Sequence, residues 1–153
     1  MLKFRRSACA GKISNATFFF CDDNAYLSQI AEASARHLSP PRTRIFSAGI
    51  KPGIISLRLV QAMQEVGISM RGQRTKSLGE VPIDEIDLIV SFCGAHKKCS
   101  NLPRRVGIED WRVPKLRPGG EGPEPPLEAI REVRDEIDKR VFALFLDHWR
   151  NIA

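Results

Sequence analysis

Of the residues in this 153-residue chain, the four cysteines are best suited to chemistry, and one of them sits where a thiol can be activated. Cys21 closes the aromatic and apolar run Ala16-Thr17-Phe18-Phe19-Phe20. The segment Asp22-Asp23-Asn24-Ala25-Tyr26-Leu27-Ser28 then leads into a helical pattern. A turn from a strand into a helix points several backbone N–H groups at one spot, and the helix dipole adds partial positive charge there. Such a nest can cradle an oxyanion, and a cysteine at its mouth becomes a nucleophile once it is a thiolate. The same residue reads equally well as a small buried strand side chain. Cys93 and Cys99 bracket the polar stretch Gly94-Ala95-His96-Lys97-Lys98; taken alone, they read as a buried residue and an incidental surface thiol. The cysteines do not form two close ligand pairs and only His96 lies near any of them, so no structural zinc site is expected. A metal site built from Asp22, Asp23 and His96 is a weaker reading than carboxylates placed at a helix start.

The elements that must position these groups follow from periodicity. Ala16–Cys21 reads as a buried strand. Ile30, Ala31, Ser34 and Leu38 share one helical face, and Pro40-Pro41 stops that helix. Arg44–Gly49 reads as a second strand running into a turn. Ile55, Leu59, Ala62, Met63 and Val66 repeat at helical spacing up to a stop at Gly67. Asp87–Phe92 is a third strand, and Arg105–Ile108 a weaker fourth. Residues 118–126 are almost wholly Pro, Gly and Glu and form a loop. A last helix carries Ile130, Val133, Ile137, Leu144, Phe145 and Trp149 on one face. Strands alternating with helices imply an α/β domain: a four-stranded parallel sheet flanked by helices on both faces. Residues 1–15 read as a loose N-terminal extension and 16–153 as one domain. With 42% hydrophobic and 27% charged residues, the composition is that of a soluble globular chain. No apolar run is long enough to span a bilayer and nothing apolar follows Lys3, Arg5 and Arg6, so a cytoplasmic protein without a membrane partner is expected. The net charge of +6 is scattered and not interleaved with aromatics, so a solvated basic surface is expected and nucleic acid is not.

Several segments in order resemble the low-molecular-weight tyrosine phosphatases and the related thiol-dependent arsenate reductases. That family's loop carries Cys, Asn three residues on, and Arg-Ser six and seven residues on; Cys21, Asn24 and Ser28 stand in register. Gln29-Ile30-Ala31-Glu32 resembles the helix start of the reductase branch. Phe46–Gly49, Ala62–Ile68, Asp87–Val90 and Val133–Ile137 resemble further family motifs, and the likeness covers about residues 16 to 150. It implies a low-molecular-weight phosphatase-like fold with catalytic Cys21, Cys93 and Cys99, an oxyanion loop over 22–28, and no cofactor. It implies arsenate, phosphate or a phosphoprotein as ligand and a thioredoxin-like reductant as partner. By similarity Cys21 attacks arsenate, Cys93 attacks the adduct, and Cys99 closes a disulfide with Cys93, each thiolate passing the oxidation outward. The segment from Cys93 to Cys99 is one residue shorter than that branch has.

Three departures set this chain apart from the resemblance. Leu27 stands where the family has its arginine, whose planar donors hold the oxyanion; removing a transition-state donor costs about 2.7–4 kcal/mol. Asp23 stands where the family has glycine, and with Asp22 it puts two carboxylates beside Cys21, disfavouring both an anion and the thiolate. The late loop reads Trp111-Arg112-Val113-Pro114-Lys115-Leu116-Arg117-Pro118, without the family's acid. Asp110 could be displaced into that role, and Arg112 or Arg117 could replace the missing guanidinium. The sequence thus supports an altered arsenate reductase-like thiol enzyme or an inactive phosphatase-fold binding or regulatory module. An active tyrosine phosphatase ranks below both.

Overall fold

The computed structural model describes residues 15–116 and 124–152. The N-terminal stretch, Cys9, Arg117 and most of the Pro/Gly/Glu loop lie outside these residues, and so does the Trp149 side chain. Four parallel strands form one sheet in the order β2-β1-β3-β4, with β1 at Asn15–Cys21, β2 at Thr43–Gly49, β3 at Leu88–Phe92 and β4 at Gly107–Trp111. The α-helices are α1 (Leu27–Leu38), α2 (Leu57–Gln64) and α3 (Leu127–Ile152).

Strand alternation divides the core in two. Phe19, Cys21, Val90 and Phe92 pack with α1, α2 and α3, whereas Phe18, Phe20, Ala48 and Ile89 face the opposite way. That second face is covered by Val81, Ile86, Ala95 and Val106, and by three short 3₁₀ helices at Leu78–Glu80, Ile83–Glu85 and Ala95–Lys98. The three phenylalanines of β1 are fully buried, two on one face and one on the other. This is what a continuous apolar run gives in a strand covered on both sides.

Two expectations shift. The fourth strand begins at Gly107 and runs on to Trp111, so Asp110 and Trp111 belong to β4 and not to the following loop. Trp111 sets this end: it is buried and packs against Phe19 and edge-on against Phe92. The second helix is shorter than its apolar repeat, because Val66 lies beyond it, nearly half exposed, in the turn that Gly67 closes at φ 77°.

The chain runs from β1 outward to β2, then returns past β1 to β3. The strand order therefore reverses between β1 and β3, the place where parallel sheets open a crevice at their C-terminal edge. Phe20 pairs with Ser91, so Cys21 ends one strand beside the end of the other, which Cys93 directly follows. The loop after Cys21 is held from below by the turn after β2: the amides of Ile50, Lys51 and Gly53 donate to the carbonyls of Cys21, Asp22 and Asp23 at 3.3, 2.9 and 2.8 Å. Gly49 allows that approach, since a Cβ there would lie 2.7 Å from both the Asn24 amide nitrogen and the Asp23 carbonyl carbon. Both obstacles are backbone and cannot swing aside. Gly49→Ala is expected to cost about 1–3 kcal/mol, the usual range for forced overpacking, read as a lower urea midpoint with an unchanged slope.

Candidate active site

Asn24 organises the loop. It is fully buried at φ 53°, a left-handed conformation that asparagine tolerates better than most residues. Its Nδ2 donates to Ser28 Oγ (2.7 Å) and Ser47 Oγ (3.0 Å), and its Oδ1 accepts from Gln29 Nε2 (3.0 Å) and the Lys76 amide (2.8 Å). Ser47 Oγ in turn donates to Glu32 Oε1 at 2.5 Å. Glu32 is itself buried and answered by Arg36 on one oxygen and Lys76 on the other. Gln73 Nε2 donates to Gln29 Oε1 at 2.7 Å. In the sequence Gln29 and Glu32 stand out only as part of a helix start. Their role was readable as polar side chains on the core-facing side of an amphipathic helix, but Ser47 and Lys76 gave no such signal.

Cys21 Sγ sits at the centre of this loop. The Asn24 amide donates to it at 3.2 Å and the Ser28 hydroxyl lies 2.9 Å away. Ser28 Oγ accepts from Asn24 and keeps a second lone pair, so either it or the thiol can donate in this bond; toward a thiolate the hydroxyl donates. The Ser28 amide adds a third donor. These groups favour a thiolate, yet burial outweighs them, and the nearby Asp23 carboxylate acts in the same direction as burial. Together they push the Cys21 thiol up to about 11. The side chain is 2% exposed.

The two acidic neighbours behave differently. Asp22 turns outward, with Lys98 Nζ 3.1 Å from both carboxylate oxygens and Lys115 Nζ at 4.0 Å. Asp23 turns inward: its Oδ1 accepts from the Ala25 amide at 3.0 Å and lies 3.7 Å from Cys21 Sγ. It thus occupies a loop amide with a carboxylate of the chain's own. Helix α1 starts at Leu27 after Tyr26, without a side-chain cap. Leu27 is buried in the helix-side core, so a hydrocarbon fills that position.

Of the three stand-ins for the missing groups, Arg117 lies outside the described residues, and Asp110 and Arg112 engage each other. Burial alone would raise the Asp110 carboxyl, but the Gly94 amide, Arg112 and His96 more than offset it and hold it below the usual carboxylate range. Asp110 is therefore ionised near neutrality and has no proton to give. Arg112 pairs with it, Nε to Oδ2 at 2.7 Å, and its Nη2 lies beside Gly94. It serves the turn after β3, not the loop after β1. No metal site arises either: His96 Nδ1 faces Ser91 Oγ at 2.9 Å and Asp22 faces lysines, and among the described residues no three His, Cys, Asp or Glu side chains are grouped to hold an ion.

Cys21, Cys93 and Cys99 are all free thiols. Cys93 adopts φ 53°, a left-handed conformation that costs a non-glycine residue on the order of 1 kcal/mol or more. Its amide and thiol are tied to the carbonyls of Trp111 (3.0 Å) and Val113 (3.3 Å). Cys93 packs against the same core as Cys21, whereas Cys99 packs against the core on the other face of the sheet. The 3₁₀ helix Ala95–Lys98 keeps the two ends of this segment on separate sides.

A parallel sheet with a cysteine loop at its reversal point, a serine seven residues on and a buried asparagine knitting the two defines the class of phosphatase-fold thiol proteins. The chain belongs to the low molecular weight phosphotyrosine protein phosphatase family, whose sequence model matches residues 16–150. It is similar to the arsenate reductase of Bacillus subtilis (strain 168), with 33% identity over 127 residues covering 81% of this chain and 90% of that one. It is 30% identical over 125 residues to arsenate reductase 1 of Staphylococcus haemolyticus, with the same coverage. Among solved structures it resembles an arsenate reductase in the phosphate binding state (TM-score 0.69, 29% identity, 87% of this chain and 98% of that one). It also resembles the thioredoxin-dependent arsenate reductase of Corynebacterium glutamicum (TM-score 0.67, 25% identity, 94% and 64%).

The raised thiol has a thermodynamic signature. A group that holds its proton more tightly when folded than when unfolded stabilises the fold fully below its unfolded pKa, here 9.0, and stops doing so as pH rises through about 11. Wild-type stability is therefore expected to fall between pH 9 and 11 by on the order of 2 kcal/mol more than that of Cys21→Ser. Urea midpoints across that window measure the difference. Asp23→Asn should shift the onset of Cys21 alkylation by iodoacetamide to lower pH.

Proposed function

We propose that this chain is an arsenate reductase-like thiol protein whose oxyanion chemistry is impaired at neutral pH. One observation carries the reading: Cys21 keeps the donors that favour a thiolate, yet is pushed up to about 11 beside Asp23, with Leu27 where a cationic donor is required. At pH 7 the thiolate fraction of such a group is on the order of one in ten thousand. Even a bound oxyanion would meet a neutral thiol and, at position 27, a hydrocarbon in place of a guanidinium.

In this reading Cys21 is the ancestral nucleophile and the loop 22–28 the ancestral oxyanion site. Cys93 and Cys99 form a relay that a thioredoxin-like reductant resets, and the protein works in the cytoplasm. Closing the Cys93–Cys99 disulfide would join thiols that in the reduced protein side with different cores. A second reading is a binding or regulatory module without turnover. The inward Asp23 carboxylate favours it, because it holds a loop amide that would otherwise be offered to a ligand.

Calorimetric titration of the reduced protein with arsenate and phosphate, followed by an arsenate reduction assay with thioredoxin, thioredoxin reductase and NADPH, separates the readings. The impaired-reductase reading expects weak binding and slow turnover that vanish in Cys21→Ser. Complete silence in both assays leaves the non-catalytic module. Asp23→Gly with Leu27→Arg is expected to raise oxyanion affinity by about tenfold or more, equivalent to about 1.4 kcal/mol; no gain would mean that the loop is not a latent oxyanion site.

A further inference from the structure

A cavity of about 420 Å³, apart from Cys21, is lined in succession by Thr43, Arg44, Ile45 and Phe46. Successive strand residues point to opposite faces. A cavity touching all four therefore runs along the edge of the strand, and β2 is an outer strand of the sheet. The direction of its backbone groups can be read from two contacts. The Gly49 amide donates outward to the Lys76 carbonyl at 2.9 Å, and the Ile45 carbonyl accepts outward from Arg36 Nη2 at 3.0 Å. Alternation puts the backbone groups of Ser47, between them, on that same outer side. Among the described residues, strand pairing along this edge is confined to the single bridge between Gly49 and Ser77.

Cations outnumber carboxylates in the cavity wall. Arg36, Arg44, Arg74 and Lys76 line it against one carboxylate, Glu32. Arg44 and Arg74 also hold Glu85 (2.6 Å) and Glu80 (2.8 Å), both in exposed pairs. Exposed pairs contribute little to stability, so exchanging their carboxylates for incoming ones costs little.

We propose that the outer edge of β2 is a docking strand for an acidic segment of a partner protein, which adds to the sheet along Thr43–Ser47 with its carboxylates over Arg44 and Arg74. Backbone hydrogen bonds at the Ile45 amide and at Ser47 give the added strand its register, the Ile45 carbonyl being held by Arg36, and the cations select its charge. A second copy of this chain is a poor occupant, because pairing two such edges sets the same cations against each other. Residues 1–14 are excluded on the same ground: they contain Lys3, Arg5, Arg6 and Lys12 and no acidic residue. The site also has a line to the thiol loop, through Glu32, Ser47 and Asn24 to the Asn24 amide on Cys21 Sγ. The inference stands whether or not Cys21 turns over.

The test uses the full chain and a fluorescein-labelled peptide of alternating Glu and Val, followed by fluorescence anisotropy. Saturable binding is expected, weakened about tenfold or more in Arg44→Glu/Arg74→Glu, with the amides of Ile45 and Ser47 gaining protection from hydrogen exchange. A Lys-Val peptide, which probes the wild type alone, is expected not to bind. Absence of saturable binding, or equal binding by the Lys-Val peptide or to the double variant, would overturn the proposal. Equal binding of a Glu-Val peptide N-methylated at alternate residues would reduce it to charge attraction without strand pairing. Displacement of the peptide by inorganic phosphate at comparable affinity would make the cavity a small-anion site instead.

Discussion

The carboxamide of Asn24 has two hydrogens to donate and two lone pairs to accept, and all four are engaged within the protein. These bonds join the first strand's loop to α1, to β2 and to the segment before the 3₁₀ helix at Leu78–Glu80. The residue is out of reach of water, so each bond it lost would leave a buried polar group unanswered, at about 1–3 kcal/mol apiece. Its left-handed backbone turns the amide onto Cys21 Sγ, which makes the geometry around the sulfur a by-product of the way the sheet is tied together. The loop therefore keeps the shape of a thiolate site although the thiol in it is neutral.

The strands and helices were legible because period and punctuation agreed, whereas the strand order, and with it the crevice, comes from the structure. Three buried phenylalanines in a row, Pro40-Pro41 after a helical face and Gly67 after an apolar repeat each admit few alternatives. The strand carrying Asp110 was misplaced because Gly107-Ile108-Glu109-Asp110-Trp111 alternates poorly and lies at the sheet's edge. What extends it is Trp111 packing on two distant phenylalanines, a contact that a linear reading cannot see. The reading of the thiol loop matched residue types to roles, and the structure adds a distinction that residue types cannot carry. Asp22 and Asp23 are adjacent and chemically identical, yet one faces lysines in solvent and the other faces a loop amide. Lys98 and Lys115, remote from Asp22 in sequence, decide which is which.

The cysteines differ in environment in the same way. Cys21 is buried among donors, Cys93 is held in an unfavourable backbone conformation by two carbonyls, and Cys99 belongs to the opposite core. Nothing in a count of thiols separates these states. Burial, backbone angle and the sidedness of the sheet do, and they put Cys21 and Cys93 at one crevice while leaving Cys99 across the sheet from it.

Leu27 carries a consequence for the history of such a site. A leucine taken from solvent into a core stabilises the fold by about 1.5–3 kcal/mol, and a stability margin is only a few times that. On the reading proposed above, a position that answers to a ligand elsewhere in the family here answers to packing, and other changes can accumulate that rely on the gain. The way back to a charged side chain then grows steeper with time, although no catalytic residue need change further. On that reading, the stability of the whole domain entrenches a change made at one loop position.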